Sequence, residues 1–509
     1  MGSDTQVTLT VNHRRVIVAD PTMSLLELLR ERLGQHDVKD GCAPQGQCGC
    51  CTVLVDGQPR VACVTPVRRV AGRSITTAAD LADGAQLAEA FVAAGASQCG
   101  FCTPGILCRI SGQRARASGP LTPAAVNEAL KAHLCRCTGW QTIAEAVTAL
   151  DGPPERRDRP GAAARAALEG GTPQRVDPAV CLGAAGFADD EAPPGALVAV
   201  RNAAGAWVLG ESLPEARAAA GKVQGRRTTR GHEPPLVLPP GEWARTLRTS
   251  WVEPAYLEPD ATWCAPGGQP APLLGNGGAF GAKTQSTLGQ VARELADRHG
   301  RPVRVLLSRE DVVRLGPKRP PIAAGVRADG RGVVRVARTR DIARRIQAVA
   351  PGLAVEECDL AGPPTSAALR GAGWVEAHCL LASVTGVTAL TAPSGAYADA
   401  LVDDGGIQVT VRCGEPLDDV VLRSYCIGAA HMAYSWVTSE ALAVDAAGTV
   451  EDLTVRSFGV LRAVDTPPIS VTIDASDAPP VNGSDAVFAA VAAATWRAVG
   501  WAPEWPTGT

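Results

Sequence analysis

Ten of the sixteen cysteines fall before residue 138 of a 509-residue chain, and no other feature restricts the fold as much. Cysteine at that density means either a disulfide framework, typical of small exported domains, or reduced thiols held by metal. The chain is long. Met1 to Val11 alternates polar and apolar residues without a signal-peptide core, and too few apolar residues follow Arg14 and Arg15 for a twin-arginine signal. The expectation is metal-held thiols in a cytoplasmic protein.

The elements around the cysteines can be read from hydrophobic period. Val7, Leu9 and Val11 alternate on one face, and Val16 and Val18 continue after a short turn, which predicts a hairpin. Ser24-Leu25-Leu26-Glu27 reads as a capping box with Leu25, Leu26 and Leu29 at helical spacing. After a Gly- and Cys-rich loop come Thr52-Val53-Leu54-Val55 and the turn Asp56-Gly57. This order predicts a compact β-grasp-like unit over residues 1–80. From residue 81 to 150 the period turns helical, with Leu87 and Phe91, then Val126, Leu130 and Leu134, then Ile143, Val147 and Leu150; Thr122-Pro123 reads as a helix cap. Residues 151–171, rich in Pro, Gly, Arg and Ala, are expected to be a linker. Residues 172–509 mix strands and helices.

The cysteines form two sets. Cys42, Cys48, Cys51 and Cys63 place three thiols in one loop and a fourth on a following strand, which suits a [2Fe–2S] cluster with four thiolate ligands. Gly46 and Gly49 let backbone N–H groups turn toward sulfur. The spacing C-x5-C-x2-C is one residue longer than the plant type, and Cys50 adds a fifth thiol. Gln98-Cys99-Gly100-Phe101-Cys102 and Cys135-Arg136-Cys137-Thr138-Gly139 supply the second set, Cys99, Cys102, Cys135 and Cys137. Zinc and plain structural thiols stay open as alternatives for either set, though C-x-C is unusual in zinc ribbons.

On these motifs, residues 4–150 resemble the two-cluster iron–sulfur domain of the molybdenum hydroxylases, the xanthine dehydrogenase and aldehyde oxidoreductase family. The resemblance implies a ferredoxin-like domain holding one cluster and a helical domain holding the other nearer molybdenum. It also implies that Gln98 and Cys137 touch the pterin of a molybdopterin cofactor. In all, the fold class is a multidomain α+β chain, with a shortened molybdopterin-binding-like region after the two iron–sulfur domains.

The second half carries the same resemblance in pieces. Gly275-Asn-Gly-Gly-Ala-Phe-Gly-Ala-Lys-Thr284 looks like the family's glycine loop near the metal, which would make Gly277, Gly278, Phe280 and Gly281 cofactor contacts. A plain glycine loop before the helix marked by Leu288, Val291, Ala292 and Leu295 is the other reading. Gly277-x4-Ala282-Lys283-Thr284 is also a near match to a phosphate-binding nucleotide loop. Glu258-Pro259, Leu369-Arg370-Gly371-Ala372-Gly373 and residues 427–473 resemble further family segments, with Arg370 and Gly371 near the cofactor. The departures are specific. This half is about half the family's usual length, and the stretch supplying a metal-side glutamine is collapsed to Gln269. Ser484 stands where the family has its general-base glutamate. Asp485 beside it is the nearest carboxylate, though it also reads as a helix cap. Glu415, within Gly414-Glu415-Pro416, is a second weak catalytic candidate.

Charge and composition restrict the function. With 49 basic and 52 acidic residues, and 20% of residues charged, the chain is no polybasic nucleic-acid binder. It holds no apolar run long enough to cross a membrane. No flavin-binding segment is recognisable, so FAD is expected on a separate partner. The expected activity is an oxidoreductase passing electrons from a molybdopterin site through two [2Fe–2S] clusters to a flavin subunit or other acceptor. Aldehydes or N-heterocycles would be its substrates. Two alternatives remain: an electron-transfer or accessory subunit whose molybdopterin domain is degenerate and which pairs with a molybdenum-binding partner, and a zinc-stabilised interaction module. His232, His299 and His378 and the six later cysteines show no ligand spacing.

Overall fold

The computed structural model describes residues 6–150, 157–221, 230–273 and 278–508. Strands β1 (Val7–Val11) and β2 (Arg14–Val18) pair antiparallel. Both residues of their connection, Asn12 and His13, have positive φ, and the tight hairpin turn needs that twist. Strands β3 (Thr52–Val55) and β4 (Gln58–Val61) repeat the device at Asp56-Gly57. A strand that the sequence did not suggest, β5 (Ser74–Thr76), completes the sheet in the order β2-β1-β5-β3-β4, parallel to β1 and antiparallel to β3. It is three residues long, too short for a period to show.

Ser24 caps as expected, its Oγ accepting from Glu27 N at 3.1 Å. The helix behind it is a single turn, Leu25–Glu27, that widens into the π-turn Leu28–Arg32 and buries Leu25, Leu26, Leu28 and Leu29.

Helices Gly84–Ala93, Thr103–Arg114, Pro123–Leu130 and Gln141–Thr148 form the next unit. Thr122 Oγ1 accepts from Ala125 N at 3.2 Å, the predicted cap. Sequence reading missed Thr103–Arg114, which begins directly behind Cys102. At Gly105 a Cβ would lie 2.4 Å from Gly49 O and 2.7 Å from Cys50 O, so only glycine lets this helix rest on the first cysteine loop.

The stretch expected to be a linker differs. Residues 151–156 lie outside the described residues, but Arg159–Gly170 is a helix, capped by Asp158 and closed by Gly171 in the left-handed region. It packs on the helix Asp419–Thr438, with Ala162, Arg165, Ala166 and Glu169 buried. Two of these four are an ion pair, Arg165 Nη1 to Glu169 Oε1 at 3.0 Å, so the buried stripe is invisible to a search for apolar period.

The remainder contains three sheets. Strands Leu197–Arg201, Trp207–Gly210, Ala261–Cys264 and Val303–Leu306 form the first, with helix Leu288–His299 on it and Gly300 ending that helix as predicted. A five-stranded sheet follows, centred on Ile322–Val326, and then a four-stranded one centred on Tyr397–Asp403 and Gly406–Arg412. Helices Asp419–Thr438 and Ser484–Ala498 pack together between them, where Trp436 stacks on Phe488 with centroids 5.5 Å apart.

Buried ion pairs fasten this region to the iron–sulfur half. Arg30 meets Asp189 and Asp190 at 2.7 and 2.9 Å, Arg304 meets Glu31 at 2.9 Å, and Arg136 meets Glu440 at 2.6 Å. No described helix is long and apolar enough to cross a membrane.

Candidate functional site

Three thiols of the first set come from the loop between the π-turn and β3, and the fourth, Cys63, stands not on a strand as expected but in the single 3-10 turn Ala62–Val64 behind β4. Cys42, Cys48, Cys51 and Cys63 are all buried. Their sulfurs run as a string: Cys42 reaches Cys48 on one side and Cys63 on the other, and Cys63 reaches Cys51. Backbone amides point at the sulfurs. Gln47 N and Cys48 N donate to Cys42 Sγ at 3.4 and 3.3 Å, and Cys63 N donates to Cys51 Sγ at 3.4 Å. The neighbouring thiols, followed by these amides, hold the Cys42 thiol well below its ordinary range. Gly49, at φ +79°, makes the turn possible; a Cβ there would meet the His133 ring at 2.4 Å. Cys50 is buried too and reaches Cys48, so it extends the string by a fifth thiol.

The second set draws one cysteine of each pair from each motif. Cys99 Sγ and Cys137 Sγ lie 3.7 Å apart, and Cys102 and Cys135 are within hydrogen-bond reach of each other. Cys135 Sγ also meets Thr138 Oγ1 at 3.1 Å. The contacts with Cys102 and Cys137, then those with Thr138, hold the Cys135 thiol well below its ordinary range.

Four buried thiols in each set, with backbone amides aimed at sulfur in the first, fit a two-iron cluster.

Beside the second set, Gln98 is buried, its Nε2 donating to Cys137 O at 3.0 Å and Ser424 Oγ at 2.9 Å. Its Oε1 has no partner, nor does the buried Oε1 of Gln174. Both glutamines line a cavity of ≈ 370 Å³ with Cys99 and Arg175. Unpaired buried acceptors beside a cavity suit the N–H edge of a pterin. Gly278 sits against the same cysteines, where a Cβ would lie 3.2 Å from Cys99 Sγ and 3.3 Å from Cys137 Sγ. Gly277 lies outside the described residues.

A second cavity, ≈ 320 Å³, collects Phe280, Gly281, Arg370, Gly371, Glu169 and Asp485. Arg370 is its centre. Its guanidinium lies 4.2 Å from the Phe280 ring centroid, while Nε donates to Asp485 Oδ1 at 2.9 Å and Nη2 to Ser484 Oγ at 2.6 Å. Asp485 therefore does not cap its helix as the sequence suggested. Asn482 does, its Oδ1 accepting from Asp485 N at 3.0 Å, because Arg370 draws the Asp485 carboxylate away.

Sequence reasoning missed Glu169. Its carboxylate accepts from Gly483 N at 3.0 Å, Ser484 N at 2.8 Å and Arg165. Beyond the Arg165 pair four residues away nothing local marks it, since its two amide partners lie more than 300 residues away. Glu415 is exposed, contributes only its carbonyl to Arg165, and stands outside the cavity. Gln269 is also exposed and bound to Arg293. Glu258 and Lys283 meet at 2.6 Å; burial pushes the Glu258 carboxyl up to about 7 against the pull of that lysine. With Lys283 so engaged, the phosphate-loop near match has lost its phosphate-binding group. Trp374 lines the cavity and packs into the core.

Comparison with known proteins agrees with this geometry. Residues 9–69 match the 2Fe-2S iron-sulfur cluster binding domain, and residues 77–148 match the [2Fe-2S] binding domain. The chain is 43% identical over 151 residues to the nicotine 6-hydroxylase small subunit of Paenarthrobacter nicotinovorans, covering 29% of this chain and 89% of that protein. Identity to the xanthine dehydrogenase iron-sulfur-binding subunit of Escherichia coli O157:H7 is 41% over 133 residues, 25% of this chain and 82% of that one. The aldehyde oxidoreductase from Desulfovibrio desulfuricans ATCC 27774 superposes with a TM-score of 0.70 over 97% of each chain at 14% identity, a likeness of fold. The chain thus carries two distinct [2Fe–2S] binding sites.

Proposed function

The chain belongs to the molybdenum hydroxylase family through its iron–sulfur half, and from that premise we propose that it is an electron-relay subunit whose second half no longer performs the family's hydroxylation. Cys42, Cys48, Cys51 and Cys63 would hold one cluster, and Cys99, Cys102, Cys135 and Cys137 the other. Each cluster, when bound, takes up and passes on one electron. The protein's own part is to keep water from the sulfurs, donate amide hydrogen bonds to them, and hold the two sets at a fixed separation through Gly49, Gly105 and His133.

Gln98, Gln174 and Arg175 would seat a pterin beside the second set, and that cofactor would bring molybdenum redox chemistry when bound. The cavity next to it argues against hydroxylation here. Activating a metal-side water for attack on carbon requires a carboxylate free to take a proton. Both carboxylates that line the ≈ 320 Å³ cavity are engaged, Asp485 with Arg370 and Glu169 with Arg165 and two amides. Ser484, at the place of the family's glutamate, holds no proton-accepting charge at neutral pH and is bound to Arg370. That engagement of every lining carboxylate is the observation that carries the reading.

The test is metal analysis and turnover on the purified full chain. About four irons per chain with sulfur-to-iron charge-transfer absorbance are expected. No oxidation of aldehydes or N-heterocycles is expected from the native chain. Turnover appearing only in Ser484→Glu would mean the site is disarmed but otherwise intact; turnover by the native chain would refute the proposal.

A further inference from the structure

Two guanidinium groups near the first thiol set have no carboxylate partner among the described residues, and both come from the second half of the chain. Arg309 is 1% exposed. It donates to three carbonyls, Gly41 O at 3.0 Å, Tyr256 O at 2.9 Å and Leu257 O at 2.6 Å. Gly41 directly precedes Cys42. Arg456 is half-buried over the same loop. Its backbone N donates to Gln47 Oε1 and its Nε to Gln47 O, both at 3.2 Å, and Gln47 N in turn donates to Cys42 Sγ. The charge of Arg456 acts on both Cys42 and Cys48.

The second set is surrounded differently. Arg136, between two of its cysteines, is neutralised by a bidentate contact with Glu440 at 2.6 and 2.7 Å. Arg109 and Arg456 both act on His133, which packs on Gly49 and stands two residues before Cys135, but only Arg456 also acts on Cys42 and Cys48.

Reduction adds an electron to a cluster, and an uncompensated positive charge in a low-dielectric interior favours the reduced form. We propose that Arg309 and Arg456, supplied by the second half, set the first cluster at a higher reduction potential than the second, so that electrons run downhill toward the exposed loop at Pro44 and Val64. The inference rests on the relay reading. It gives the second half a task that does not depend on hydroxylation, because its arginines tune a cluster held by the first half.

The experiment is a redox titration of the two reduced-cluster signals by electron paramagnetic resonance on the full chain. Cys63→Ser assigns the signal of the first cluster. Arg456→Gln is expected to lower the first midpoint by roughly tenfold in its reduction equilibrium, about 59 mV for one electron, and the second by less. Arg456→Lys, which keeps the charge, should retain most of the native gap. Val64→Lys adds a charge at a side chain 52% exposed beside Gly46 and should raise the first midpoint. An unchanged gap in Arg456→Gln, equal shifts of both clusters, or a lysine variant that behaves like the glutamine one would overturn the proposal. Absence of both signals from native protein is a different failure, because it would remove the relay reading itself.

Discussion

Gly428→Ala is a sharp test of how the second half grips the cluster domain. In the middle of a helix, glycine to alanine is ordinarily stabilising by about 1 kcal/mol, since alanine leaves less backbone entropy to lose. Gly428 lies inside Asp419–Thr438, yet a Cβ there would sit 1.7 Å from the carbonyl oxygen of Cys137 and 2.9 Å from its carbonyl carbon. The obstructing atom is backbone and cannot rotate away. Restoring a normal contact near 3.4 Å means moving the helix or the cysteine loop by more than an ångström. Overpacking of that kind costs typically 1–3 kcal/mol and occasionally more. Here it also strains the bond from Gln98 Nε2 to the same carbonyl. The steric term wins, and the net effect should be destabilisation by about 1–2 kcal/mol. Gly289→Ala is the control, in a helix where the nearest atom to the new Cβ is Pro270 Cβ at 3.4 Å, an ordinary contact. It should be neutral or stabilising. The assay is loss of cluster absorbance in a urea titration, with the second cluster's resonance as local reporter. Equal midpoints for the two variants, with an unperturbed second signal in Gly428→Ala, would refute the packing argument.

Two further outcomes follow from the burial around the clusters. His431 is 1% exposed with both ring nitrogens unpaired, and its folded pKa of about 4 lies below the unfolded value. Below about pH 6.5 the unfolded chain binds a proton that the native ring does not, so stability falls by about 1.4 kcal/mol per pH unit down to the folded value and is flat beneath it. Urea midpoints of His431→Leu should lose that one-proton slope between pH 6.5 and 5, and a slope equal to that of native protein would count against a neutral buried imidazole. Cys50→Ala should keep about four irons per chain while Cys48→Ala loses the first cluster; iron loss from Cys50→Ala would make Cys50 a ligand and Cys48 its bystander.

How much could be read in advance depended on how local each signal was. Seven of the eight expected ligand cysteines stand in short motifs visible in the sequence, and the Thr122 cap and the Gly300 helix end are equally local. The helix Arg159–Gly170 was hidden because half its buried face is an ion pair. The expected capping role of Asp485 failed because Arg370, 115 residues away, competes for its carboxylate. Glu169, Arg309 and Arg456 had no sequence signal at all. Each gains its role only from a contact that the tertiary fold creates.

That division bears on what the second half is for. The two amides at the start of Ser484–Ala498, Gly483 N and Ser484 N, need an acceptor, since orphaned N–H groups weaken a helix end. Here the Glu169 carboxylate occupies them from the other side, backed by Arg165 at 3.0 Å, and Arg370 is closed by Ser484 and Asp485. Both carboxylates that line the ≈ 320 Å³ cavity are thus held by arginines, as buried charge requires. Around the first cysteine loop the opposite holds, since Arg309 and Arg456 meet only carbonyls and amides and keep their charge uncompensated. A region that occupies its cavity's carboxylates and leaves positive charge facing the first cysteine loop fits the proposed control of electron flow. If that is its task, restoring glutamate at 484 should bring Arg370 a new partner and alter the cavity, while the potential of the first cluster stays where Arg309 and Arg456 set it.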